Sequence, residues 1–228
     1  MNVQDLRGRF ADLWHRHENG EDVEVSGTLE IIGASFTANQ PTIFGALDED
    51  YIQRELDWYL SRSLNVEDIP GKTPPIWRTV ADKDGHINSN YGHLMFSEQN
   101  YDQLHSAIAQ IHMQPDGRRA VAVYTRPSIH VEWNENGRSD FICTNAVNYY
   151  QRGGKVHAVV QMRSNDAVFG FRNDLAWQDF CLALVAHETG SEKGTITWQP
   201  GSIHVYARHY HLIEHYVKTG EFDVSLKA

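Results

Sequence analysis

Residues 155–190 constrain the fold more than any other stretch. "KVHAVVQMRS" (155–164) alternates as a β-strand does, and "DLAWQDFCLALVAHETG" (174–190) reads as a helix that is mostly apolar. A surface helix carries one apolar stripe, whereas one that is apolar on most sides must be buried, so other elements have to cover it. Gly190 is placed to stop it. Between the two lies "QMRSNDAVFGFRND" (161–174), where Arg, Ser, Asn and Asp stand side by side before Phe-Gly-Phe and a second Asn-Asp. This is either an ordinary strand-to-helix turn or the floor of a site for a polar, anionic, partly aromatic molecule.

The remaining pattern mixes strands and helices. "SGTLEIIGASF" (26–36) predicts an early strand broken by Gly33, and Asp48 is placed to cap a helix through "EDYIQRELDWYLSRS" (49–63). "SEQNYDQLHSAIAQIHM" (97–113) predicts a second helix with Tyr101, Leu104, Ile108 and Ile111 on one face. "RRAVAVYTRP" (118–127) predicts a strand, and "GSIHVYARHYHLIEHYV" (201–217) begins as a strand and turns helical. The fold class expected is α/β or α+β. At 228 residues the chain is read as one domain over 1–228, with the proline-rich "NVEDIPGKTPP" (65–75) as an internal loop.

Composition excludes several functions. A formal net charge of −10 repels a nucleic-acid backbone, so polymeric DNA or RNA is not the expected partner, although a single nucleotide is compatible. No run approaches the ~18 apolar residues a membrane span needs. The charged opening, "MNVQDLRGRFADLWHRHENG", lacks the apolar segment of a secretory signal, and two cysteines suit a reducing compartment, so a cytoplasmic location is expected.

Several groups could carry chemistry. Cys181 sits inside the apolar helix as a small buried residue, but Cys143, in "SDFICTNAVNYYQ", has Asp140, Thr144 and Asn145 around it and is a candidate nucleophile. Glu55 lies beside Leu56 on a helix that should dock on the core; if buried, it must be paired or protonated. The histidines of "HVYARHYHLIEHY" invite a metal reading, yet on an alternating strand His204 and Tyr206 share one face while His209 and His211 share the other, and no metal is expected. Arg118 and Arg119, if on a strand, point to opposite faces.

Taken in order, "RELDWYL", "PPIW" (74–77), "NYG" (90–92), "PDGRR" (115–119), "ICTN", "QMRSNDAVFGFRND" and "GSIHVYARHY" resemble the motifs of the thymidylate synthase family, most closely its phage deoxycytidylate hydroxymethylase branch. The last resembles that family's Gly-Asp-x-His-x-Tyr motif. The resemblance covers nearly the whole chain and implies a mixed β-sheet flanked by helices, in a homodimer packed through the sheets. It implies that Cys143 adds to carbon 6 of a pyrimidine and that 5,10-methylenetetrahydrofolate is the one-carbon donor. Arg163 and Ser164 would hold the 5′-phosphate, joined by Arg118 and Arg119 of the other subunit. His204 and Tyr206 would bond the sugar 3′-hydroxyl, and Asp166 and Gly170 would face the folate. Glu55, Trp77 and Tyr91 would line the place where the one-carbon unit is handled.

The resemblance also separates substrates. The family's uracil-reading asparagine falls on Asp174, with Asn173 one residue earlier. Cytosine presents an amine that donates and a ring nitrogen that accepts, which a carboxyl group carrying or sharing a proton can satisfy. The expected substrate is therefore dCMP and the product 5-hydroxymethyl-dCMP, destined for modified DNA in the cytoplasm of an infected bacterium. The context Ile-Cys-Thr replaces the family's Pro-Cys-His, and its early arginine loop has no clear counterpart before "GTLEIIGASF".

Overall fold

The computed structural model describes residues 1–225 of the chain. It opens on α1 (Val3–Glu18), started by a reciprocal cap in which Asn2 Oδ1 accepts the Asp5 N–H at 3.0 Å and the Asp5 carboxylate accepts the Asn2 N–H at 2.8 Å. Val3, Leu6, Arg7 and Phe10 face inward at helical spacing. The buried Arg7 is tolerated because its guanidinium donates to the Thr42 carbonyl at 2.8 Å and the Ile43 carbonyl at 2.5 Å, while burial pulls its pKa down to about 10. The sequence reading assigned no helix here, although Asn2, Asp5 and the apolar spacing carry the signal.

The chain forms two units. Residues 1–48, 159–180 and 195–225 make the first; residues 49–158 and 181–194 make the second. After α1 the first unit adds β1 (Glu24–Val25), β2 (Thr28–Ile32) and β3 (Phe36–Thr37). The strand expected over 26–36 is thus two strands, parted at Gly33, whose φ of +65° suits a residue without a Cβ.

The second unit holds α2 (Glu49–Ser61), α3 (Pro75–Val80), α4 (Tyr91–Phe96), α5 (Gln103–Met113), β4 (Val121–Val123), α6 (Ile129–Glu132) and β5 (Thr144–Arg152). Helix α2 follows Asp48 as expected. Helix α4 packs so closely on α2 that a Cβ on Gly92 would lie 1.8 Å from the Tyr59 carbonyl oxygen. Two expectations fail here. The helix over 97–113 starts only at Gln103, because Tyr101 and Asp102 take positive φ and Asp102 caps the helix; Tyr101 is therefore 86% exposed instead of lying on the apolar face. Strand β4 is three residues long, so Arg118 and Arg119 precede it, both exposed, and strand alternation does not set their directions.

The chain continues through β6 (Lys155–Asp166), α7 (Gly170–Glu188), β7 (Glu192–Tyr206) and α8 (Tyr210–Thr219). Phe171, Leu175, Trp177, Cys181, Leu182, Val185 and Ala186 make α7 buried on most sides, as its composition demands. In the first unit the strands run β1-β2-β7-β6, with β3 also on β7; in the second they run β6-β5-β4. Strand β2 is antiparallel to β7 in a register that sets Glu30 opposite His204. The alternation through 201–211 ends at Tyr206: His209 follows in a 3-10 turn and is buried, whereas His211 lies on α8 and is exposed. No described helix is long and apolar enough to cross a membrane.

Candidate active site

In the first unit, β6 delivers "RSND" and α7 begins four residues later. Arg163 is exposed and Ser164, Asp166, Gly170, Asn173 and Asp174 are half-buried, while Asn165 is only 3% exposed. Asn165 is the member of the stretch to which the sequence reading gave no role. Its Nδ2 donates to Asp174 Oδ2 at 2.7 Å, and its Oδ1 accepts the indole N–H of the fully buried Trp198 at 3.1 Å. Asp166 turns inward on its own chain, its Oδ1 accepting the Val168 N–H at 2.9 Å and shaping the turn into α7. Gly170 packs over the amide–carboxylate pair: a Cβ there would lie 3.3 Å from Asn165 Nδ2 and 3.6 Å from Asp174 Oδ2.

His204 and Tyr206 stand on β7 with ring centroids 4.9 Å apart, edge to face. Where the Gly-Asp-x-His-x-Tyr motif has its aspartate, this chain has Ser202, which meets Glu30 of β2. Ser202 donates its hydroxyl proton to Glu30, and its oxygen lies 3.3 Å from His204 Nδ1. With its proton committed to Glu30, Ser202 Oγ faces His204 as an acceptor. Burial holds His204 below the usual imidazole range; Arg163 and Arg208 add to this, against Asp166 and Glu30. Glu30 could not be found from sequence, since only strand register brings it opposite His204.

In the second unit, Glu55 is buried and paired. Its Oε1 accepts the Tyr51 hydroxyl at 2.6 Å and lies 3.3 Å from the Trp77 indole nitrogen, which donates to the Tyr51 oxygen at 2.8 Å. Burial first, then the Glu55 charge and hydrogen bond, push the Tyr51 hydroxyl far above its ordinary range, so it stays a donor. Trp77 packs edge-on against Trp58, and Tyr59 stacks on Tyr91. Tyr91 opens α4, whose cap, Asn90, accepts the His93 N–H at 2.8 Å and donates to the Trp58 and Ser63 carbonyls.

Cys143 is half-buried in the segment just before β5. Three residues earlier, the buried Asp140 carboxylate accepts the Asn88 N–H at 2.6 Å, the Ser89 N–H at 2.8 Å and the Ser89 hydroxyl at 2.6 Å. This ties the cysteine segment to the start of the Tyr91 helix. Cys181 is fully buried, and burial raises its thiol beyond the range of a reactive cysteine. Among the described residues, no group of His, Cys, Asp and Glu could hold a metal ion. The C-terminal histidines serve elsewhere: His209 meets the Phe169 ring edge-on, and His215 pairs with Glu221.

The structure thus brings Asp166, Gly170 and Asp174 together around Asn165, brings His204 and Tyr206 together, and joins Glu55 to Trp77. It leaves Arg118 and Arg119 on the protein surface. A thermostable thymidylate synthase A from Bacillus subtilis has the same fold, a mixed sheet flanked by helices, with a TM-score of 0.71 at 19% identity over 98% of this chain and 87% of that one. The thymidylate synthase family profile matches residues 46–225, and the chain belongs to that family. It is 52% identical to the deoxycytidylate 5-hydroxymethyltransferase of enterobacteria phage T4, over 100% of this chain and 95% of the relative. The enzymes of the same name from phages T6 and T2 are 52% and 51% identical over the same shares.

Proposed function

We propose that this chain converts dCMP to 5-hydroxymethyl-dCMP with 5,10-methylenetetrahydrofolate as co-substrate. The observation that carries the reading is Asp174, a carboxyl group standing where the family's uracil-reading asparagine falls and gripped by the amide of Asn165. The full-length identity to the phage enzymes supports the same substrate.

Cys143, as a thiolate, bonds carbon 6 of the pyrimidine, and carbon 5 becomes nucleophilic. When bound, methylenetetrahydrofolate supplies a carbon at the oxidation level of formaldehyde. Carbon 5 bonds that carbon, tetrahydrofolate departs, and loss of the carbon 5 proton leaves an exocyclic methylene on the nucleotide. Water adds its oxygen to the methylene, and departure of Cys143 from carbon 6 restores the ring. Asp174 accepts from the cytosine amine and, through a carried or shared proton, satisfies ring nitrogen 3. Glu55 orients the water and nearby protons; held beside Tyr51 and the half-buried Trp77, it offers the acid–base group and flat apolar surface that such a reagent requires. Tyr91 helps remove the carbon 5 proton. His204 and Tyr206 bind the sugar, with Asn173 nearby, and Asp166 and Gly170 face the folate.

Arg163 and Ser164 hold the phosphate with Arg118 and Arg119 of a second subunit. A homodimer packed through the sheets is supported by the exposed apolar groups on β4, Val121 and Val123. Guanidinium forks match phosphate oxygens, and Arg118 and Arg119 are exposed. The test is release of tritium from carbon 5 of dCMP, CMP and dUMP, each with methylenetetrahydrofolate, with the product mass measured. Release from dCMP with gain of a hydroxymethyl group is expected. Release from dUMP alone would overturn the reading of Asp174.

A further inference from the structure

Base selection by Asp174 requires more than a carboxyl group in the right place. A free carboxyl can rotate and take a proton on either oxygen, and it then presents the same two donor–acceptor faces to cytosine in either order. The chain Trp198–Asn165–Asp174 removes that freedom. An indole N–H can only donate, so Asn165 must turn its oxygen to Trp198 and its NH2 group to Asp174. The group that donates to Asp174 Oδ2 is therefore the NH2 of Asn165, without any ambiguity of amide orientation. Asn165 and Trp198 are buried, and Gly170 packs against the pair, where a Cβ would come within 3.3 Å of Asn165 Nδ2.

We propose that Asn165 is the positioning residue for base selection: its N–H holds Asp174 Oδ2 as a committed acceptor, so a proton carried on Asp174 resides on Oδ1. The inference rests on the reading that Asp174 faces the pyrimidine. With one oxygen fixed as acceptor, the carboxyl presents its two oxygens to the base in a single order. Loss of the Asn165 donor removes that committed acceptor and lets a uracil face compete. A hydrogen bond to a neutral carboxyl is worth roughly a 3- to 10-fold effect, so the dCMP-to-dUMP preference in kcat/KM should fall by about that factor.

N165D is the discriminating variant. It keeps the volume and still accepts from Trp198, but sets an acceptor against Asp174. Two adjacent carboxylates share a proton more readily than either alone. As pH falls and that proton binds, the donor to Asp174 returns. Expressed as a ratio to wild type at each pH, N165D turnover of dCMP should be lowest near pH 8 and recover as pH falls toward 6, with the dCMP-to-dUMP ratio recovering in parallel. N165A, which removes the donor without adding a charge, should lose the preference with no such pH dependence, and it serves where N165D does not fold.

The readings separate cleanly. Wild type active on dCMP, with N165D equally active and equally selective at pH 8, overturns the role of Asn165 alone. A loss that is the same for dCMP and dUMP and independent of pH in both variants also overturns it, since a merely structural asparagine would behave so. Wild type active on dUMP alone overturns the assignment of Asp174 and this inference with it.

Discussion

Asp140 allows the sharpest stability prediction. Its carboxylate is buried and accepts three hydrogen bonds from Asn88 and Ser89, both themselves buried. Asp140→Ala strands two backbone N–H groups and one hydroxyl, at roughly 1–2 kcal/mol for each N–H and less for the hydroxyl, which can rotate; the loss expected is about 3–5 kcal/mol. Asp140→Asn keeps an oxygen for both N–H groups and turns its NH2 toward a hydroxyl that can accept, so most of that loss should be absent. A pH signature accompanies the pair. Burial raises the Asp140 carboxyl above its ordinary 3.8, with the hydrogen bonds and Arg138 opposing. A raised folded value means that the group stabilises the fold most below the unfolded value, and that this contribution is lost as pH rises through the folded one. Asp140→Asn has no such titration, so its stability relative to wild type should rise with pH across that window. Urea unfolding of the three proteins at several pH values, followed by circular dichroism, measures both effects. Asp140→Ala within 1 kcal/mol of wild type, or a relative stability of Asp140→Asn that falls with pH, would refute the reasoning.

Gly92→Ala should destabilise by about 3–5 kcal/mol or prevent folding, because no rotamer relieves a Cβ lying 1.8 Å from the Tyr59 carbonyl; thermal unfolding checks it. Iodoacetamide should modify Cys143 in the native protein and leave Cys181 unmodified until denaturant is added, since Cys181 is fully buried with its thiol raised; peptide mass mapping reads both. The double variant R118A/R119A should keep the wild-type unfolding midpoint, because both side chains are exposed, while losing nucleotide affinity. If the phosphate site is shared as proposed, unfolding the double variant together with C143S and refolding should restore about a quarter of wild-type activity, because half of random dimers would carry one intact site; no recovery would remove the shared phosphate site.

What the sequence revealed and what it hid follow from range. The buried helix α7 was legible because its apolar residues are contiguous, and the paired state of Glu55 because a carboxylate on a docking face has few alternatives. Cys143 stood out from Cys181 by its polar neighbours alone. The start of α5 was misread although Asp102 offered a capping signal, because the apolar spacing extended past it to Tyr101. Glu30 and Trp198 were invisible for a different reason. They reach His204 and Asn165 through strand pairing and tertiary packing over 174 and 33 residues of chain, and no local period encodes either approach.

The central claim is that Cys143 attacks carbon 6 of a cytosine nucleotide. Incubation with 5-fluoro-dCMP and methylenetetrahydrofolate tests it directly, because fluorine cannot leave carbon 5 as a proton does and the adduct is held. Mass spectrometry of the digested protein should place nucleotide and folate together on the peptide that contains Cys143. An unmodified Cys143 peptide from protein that turns over dCMP, or an adduct at Cys181, would contradict the account.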